Sequence, residues 1–140
     1  MSHVRTQIRD RVAADLAGVA TVYKTRLTPI AEASLPVLLV YTDTESSEIE
    51  SFGALMRTLA LVVEVVARGT AGLDTTLDDL VASVETALGA DPTLNGLAVD
   101  CYPSALEVST DNSGAEPVGR ARVTFAVTYR TAPTDPTVSI

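Results

Sequence analysis

The segment Arg57 to Arg68 constrains this chain more than any other, because apolar side chains occupy both of its alternating sets of positions. A β-strand turns successive side chains to opposite faces, so Leu59, Leu61, Val63, Val65 and Ala67 share one face while Ala60, Val62, Glu64 and Val66 share the other. A sheet built around this strand must be covered on both sides. The run is interrupted by Glu64 and is far shorter than the roughly 20 apolar residues that a membrane helix needs, so no membrane span is predicted.

The other periodic segments supply what covers it. Val4, Ile8, Val12 and Leu16 recur every fourth residue and predict an amphipathic helix from Val4 to Leu16, with Gly18 at its end. A stronger stripe, formed by Leu73, Leu77, Leu80, Val81, Val84 and Leu88, predicts a second helix that stops at Gly89 and Pro92. Asp74 or Thr75 could accept hydrogen bonds from its first backbone N–H groups. Short strands are expected at Val19–Lys24 and, after Pro29 and Pro36, at Val37–Tyr41. The acidic, serine-rich stretch from Thr42 to Ser51 has no clear period and reads as an exposed, mobile connection.

The last third reads as a hairpin. Ala105–Thr110 and Arg120–Thr131 are its arms and Asp111-Asn112-Ser113-Gly114 is its turn. In the second arm Val123, Phe125, Val127 and Tyr129 alternate with polar residues, so one face is core. The sum is an α+β protein with two helices packed on a mainly antiparallel sheet of four or five strands. Residues 1–131 form a single domain and 132–140, with Pro133 and Pro136, an unpaired, mobile tail.

The chain has 140 residues, the size of one ordinary domain. Ten basic against eighteen acidic residues give a net charge of −8. That balance disfavours nucleic acid and anionic membranes as partners, since both attract dense Lys/Arg surfaces. The lone Cys101 forms no internal disulfide, and the polar, Arg-containing N-terminal segment is unlike a secretory signal, so a cytosolic chain is expected.

No constellation of catalytic residues emerges. The single histidine, His3, is next to the N-terminus, where a frayed residue makes a poor base, and Cys101 has no other candidate base to activate it. One Cys and one His do not make a zinc site. Asp74, Asp78 and Asp79 cluster at a helix start, where they compensate the helix dipole without an ion. Arg68-Gly-Thr-Ala-Gly72 lacks the spacing of a phosphate loop and is a strand-to-helix connection. Glu64 is the unusual residue; a cross-strand arginine, Arg122 or Arg130, is its expected partner. No cofactor and no metal are expected.

Charge, by contrast, is segregated. Residues 1–30 and 120–131 are each +3, residues 31–56 are −5, and residues 69–119 hold nine acids and no base. Nine of the ten basic residues are arginine, which pairs bidentately with carboxylates. Alternating elements on a solvated surface would give such a pattern; so would a head-to-tail contact between copies. The candidate interface residues are Arg5 and Arg9 on the first helix, Glu45, Glu48 and Glu50 in the acidic stretch, and Arg120, Arg122 and Arg130 on the last strand.

The order of elements is similar to that of a known family. An Arg-studded helix precedes a strand ending at Tyr23, then Leu35-Pro-Val-Leu-Leu-Val-Tyr41, an acidic loop, and Arg57-x-Leu-x-Leu-x-Val-Glu64-Val. The helix Leu77-Asp-Asp-Leu80 through Val84-Glu-Thr-Ala-Leu88 leads to Asp91-Pro-Thr-Leu-Asn-Gly-Leu97, and Ala121-x-Val-Thr-Phe-x-Val-Thr-Tyr-Arg130 follows. Over residues 3 to 131 the chain resembles the tail-terminator (tail-completion, minor tail) proteins of long-tailed phages and prophages. The resemblance implies a non-enzymatic virion protein, made in the host cytoplasm, that forms a homo-oligomeric hexameric ring in the tail. It implies two partners, the tail-tube protein whose polymerisation the ring ends and a head–tail connector protein. The alternative is a small α+β ligand-binding or regulatory domain, with a pocket between helix and sheet and Glu64 with an arginine fixing the ligand.

Overall fold

The computed structural model describes residues 2–25, 35–50, 53–69, 71–112 and 116–140. In chain order the elements are α1 (Val4–Leu16), β1 (Thr21–Tyr23), β2 (Val37–Ile49), β3 (Leu55–Arg68), α2 (Leu73–Gly89), β4 (Asp100–Asp111), β5 (Val118–Ala132) and β6 (Asp135–Ser139). One sheet runs β1-β2-β3-β5-β4, with β6 also pairing β5. Every pairing is antiparallel except that of β1 with β2. This is the expected α+β architecture, with six strands where four or five are predicted.

The long strand is central. β3 pairs along its whole length with β5, from Leu55 opposite Thr131 to Arg68 opposite Val118. Its odd-numbered face, from Leu59 to Ala67, joins the main core with Ile8, Val12 and Leu16 of α1, Leu77, Val84 and Leu88 of α2, and Phe125 and Val127 of β5. Its even-numbered face contributes Val62 and Val66 to a second buried cluster with Val37, Leu39 and Tyr41. Both faces of the strand are thus covered, as its two apolar sets require. α1 packs on β1 and β2, and α2 on β3, β5 and β4. Gly119 makes room for α2, since a Cβ there would stand 2.8 Å from Leu77 Cδ1.

The structure corrects the reading of residues 42–51. The acidic stretch is no loop: β2 continues to Ile49, its distal half pairing with Leu55–Leu59. A β-bulge between Thr42 and Glu45 inserts one extra residue and breaks the period-two pattern, which hides the strand from a search for alternation.

The hairpin's first arm is likewise longer, Asp100–Asp111. It tolerates Pro103 because β4 is an edge strand whose outer backbone groups bond to nothing in the sheet, and a second bulge follows at Pro103/Ala105. The segment expected to be unpaired turns back at Pro133 and Thr134, and β6 pairs with the end of β5. Pro29, Ser51 and part of the predicted turn, Ser113 and Gly114, lie outside the described residues.

The helix starts also differ from expectation. His3, expected to fray, is the N-cap of α1; its Nδ1 accepts from the Arg5 backbone N–H at 3.0 Å. Burial, then the charges of Arg5 and Arg57, lower its pKa and keep the imidazole neutral, the form that can accept this bond. α2 has Gly72 at its N-cap in the left-handed region, with no side-chain cap from Asp74 or Thr75.

Candidate functional site

The bulge in β2 has a chemical consequence. Strict alternation after Leu38 and Val40 would turn Glu45 away from the helices; the extra residue sets it opposite Leu59, on the helix-covered face. There, Arg5 Nη1 from α1 donates to Glu45 Oε2 at 2.6 Å and Arg57 Nη1 from β3 donates to the same oxygen at 3.2 Å. The Tyr129 hydroxyl from β5 donates to Oε1. Arg57 is itself buried, donates through Nε to Thr131 Oγ1 at 3.1 Å, and stacks 5.8 Å from the centre of the Tyr129 ring. Burial, then the bond to Glu45, pushes the Tyr129 phenol far above its usual pKa. A single carboxylate thereby ties α1, β2, β3 and β5 together.

A second network lies on the opposite face of the sheet. Glu64 Oε1 accepts from the Tyr41 hydroxyl at 2.9 Å and Oε2 from Arg120 Nη1 at 2.6 Å. Arg122, directly across from Glu64 in the register, instead donates through Nε to the Tyr41 oxygen at 3.0 Å and reaches Asp43 at 3.5 Å. The partner of Glu64 is therefore the diagonal Arg120 and not Arg122 or Arg130. Glu64 also faces away from both helices, outside any space between helix and sheet. Arg130 pairs with Glu50 at 3.0 Å.

These contacts locate the eight candidate residues. Arg5 meets Glu45 and Arg130 meets Glu50; Arg120 and Arg122 belong to the Glu64 network. Glu48 is exposed on β2. Arg9 has no such engagement: among the described residues its Nε is a buried nitrogen with no hydrogen-bond partner. The opposite charges of residues 31–56 and 120–131 thus meet within one chain, across β2, β3 and β5.

A third cluster was not legible in the sequence. Arg11 Nε bridges Asp15, one turn further along α1, at 3.4 Å and Asp91, just beyond α2, at 2.8 Å. Burial, then the adjacent Asp91, raises Asp15 to about 6, whereas the bond from Asp15 and the one from Arg11 hold Asp91 at about 2. The two carboxyl groups share one proton below that upper value. No spacing in the sequence announces a contact between residues so far apart.

Among the described residues no arrangement supplies a nucleophile with a base. Burial pushes the Cys101 thiol up to about 12, with Asp100 adding to the shift. Among the described residues no group of three or more His, Cys, Asp or Glu side chains could hold a metal ion, and no helix is long and apolar enough to cross a membrane. A shallow, open depression of about 320 Å³ is lined by Thr44, Ser46, Thr58, Ala60, Ser104 and Ala126, with Glu45 and Leu59 at its base; its one ionisable group is already engaged. What the surface does offer is at its rims. Ile49, at the end of β2, is 76% exposed, and Tyr102, Leu106 and Val108 of β4 are about half exposed.

Comparison with known proteins agrees with a contact-making chain. The profile of the family described as phage minor tail protein U matches residues 1–129. Among solved structures, the fold is similar to that of a chain in the virion of a native gene transfer agent particle, with a TM-score of 0.50, 18% identity and 92% of each chain covered. No match was found among curated proteins.

Proposed function

The chain belongs to the phage minor tail protein U family and is a structural protein of the virion tail, and from that premise we propose that it forms a ring capping the tail tube. The ring, a hexamer, ends addition of tube subunits and offers its free face to the head–tail connector. The observation that carries this reading is the family match itself, which runs from α1 nearly to the end of β5 and so takes in both helices and the sheet they cover.

The mechanism is steric. A ring closed by rotation presents each neighbour with two different patches of one protomer, and it stops growth because no matching edge remains for another tube subunit. The reading is supported by a rigid protomer: Glu45 and Glu64 fasten neighbouring strands from opposite faces of the sheet. It is supported as well by apolar side chains left at the rims of the sheet. Glu48, exposed and uncommitted to either network, is the remaining acidic candidate for the tube or connector contact.

The experiment is a polymerisation assay with purified tail-tube protein. Substoichiometric chain, added to growing tubes, should bind at one end and hold their length constant. Tubes that keep elongating with the chain in excess would overturn the proposal.

A further inference from the structure

The two edges of the sheet differ in a way that fits one to the other. β4 and β6 both pair with β5 on the side away from β3, so they share one edge. Of the seven large apolar residues left exposed among the described residues, Val99, Tyr102, Leu106, Val108, Val138 and Ile140 lie on or next to those strands. The seventh, Ile49, ends β2 at the opposite edge. β1 pairs with β2 only at Val37–Leu39, and among the described residues no strand pairs with the outer side of Thr44–Ile49.

The helices carry charge to match. Arg11 reaches Asp91 beyond α2, so that flank of α1 faces α2, and Arg5 and Arg9, on the other side of the apolar stripe, face the β2 edge, where Arg5 meets Glu45. On α2, Asp74 lines a depression with Thr110 and Asn112 at the end of β4. Asp78 and Glu85, four and eleven residues further along, continue the same exposed stripe above the β4 edge. No basic residue lies between 69 and 119 to neutralise it.

Strand direction completes the match. β2, β3, β5 and β4 alternate in direction, so β2 and β4 are antiparallel. A copy related by rotation that continues the sheet therefore sets its β2 edge antiparallel to this β4 edge. A two-fold contact of β4 with β4 would instead oppose acid to acid and leave Ile49 in water.

We propose that the α2–β4–β6 edge of one copy receives the α1–β2 edge of the next, Arg9 facing Asp78 and Glu85 while Ile49 is covered by the apolar rim. This rests on the ring reading and specifies the contact that closes the ring. The partner is a second copy of this chain. The buried Nε of Arg9, which has no acceptor among the described residues, belongs to the guanidinium that gains carboxylate partners in the ring.

The test is light scattering on three purified proteins: wild type, Arg9→Glu, and the double variant Asp78→Arg/Glu85→Arg, each checked for native circular dichroism. Wild type should form a ring of defined mass. Each variant alone should associate at least about tenfold more weakly, because like charges then face each other at every contact. An equimolar mixture should reform the ring, with the two variants alternating and opposite charges at every contact. Wild-type rings alongside variants that assemble equally well, or a mixture that fails to reassemble, would overturn this edge assignment and leave the ring standing. Wild type that stays monomeric at high concentration and also forms no ring on the ends of added tail tubes would overturn the ring reading itself.

Discussion

The Tyr129 hydroxyl of β5 donates to Glu45 of β2 across the intervening strand β3, and this contact exists because a bulge turns Glu45 to the helix-covered face. Glu45 is therefore a structural residue, whatever else it meets. Glu45→Gln keeps its shape but removes the charge that Arg5 and Arg57 share, leaving the buried Arg57 without its anion. A loss of about 3 kcal/mol is expected, seen as a Tm lower by about 6–12 °C. Glu48→Ser, exposed on the same strand, should leave Tm unchanged. Equal melting of wild type and Glu45→Gln would contradict the network.

The Asp15–Asp91 pair gives stability a pH dependence with a definite sign. Asp15 is raised above its ordinary value, so its contribution is fully present below about 3.8 and is lost as pH rises through about 6. Asp91 is lowered, so its contribution is present above about 3.8 and is lost as pH falls towards about 2. From this pair, stability is greatest near pH 4 and declines between about pH 4 and 6. Asp15→Asn, whose amide donates to Asp91 at any pH, should remove the decline between about pH 4 and 6, which denaturant titrations at a series of pH values would reveal. A decline of the same size in both proteins would refute the shared proton.

Gly119 is set by space, not by backbone conformation. The methyl of Gly119→Ala would press on Leu77 and on Leu73, 3.1 Å away, and push α2 off the sheet. The expected cost of this overpacking is about 1–3 kcal/mol, and Gly119→Ala combined with Leu77→Val should recover part of it. Chemical denaturation of the two variants decides.

Cys101 is a packing residue. With its pKa pushed up to about 12 and its side chain buried, a neutral aromatic disulfide reagent near pH 8 should label it slowly in the native protein and at once in denaturant. Rapid labelling of the native protein would show that β4 opens readily.

Much of this fold was legible because the signals were periodic. The stripe from Val4 to Leu16 and the two apolar sets of β3 depend only on local spacing, and the helix boundaries at Val4, Leu16 and Leu73 coincide with it. The distal half of β2 escaped because its bulge breaks alternation and its acids resemble a solvated loop until their arginines arrive from α1, β3 and β5. β6 escaped because Pro133 and Pro136 signal a break, which in this place is a turn and an edge strand. The cap from His3 lay outside the usual Ser/Thr/Asp/Asn signal. Charge segregation was visible, but only the three-dimensional structure could tell pairs made within the chain from Arg9, whose Nε has no hydrogen-bond partner among the described residues.

Particles produced with and without this chain test the central claim most directly, by measuring tail length and head attachment in electron micrographs. Without the chain, the account predicts tubes of uncontrolled length that carry no heads, restored to a single length by supplying it in trans. Tails of normal length joined to filled heads in its absence would contradict the account.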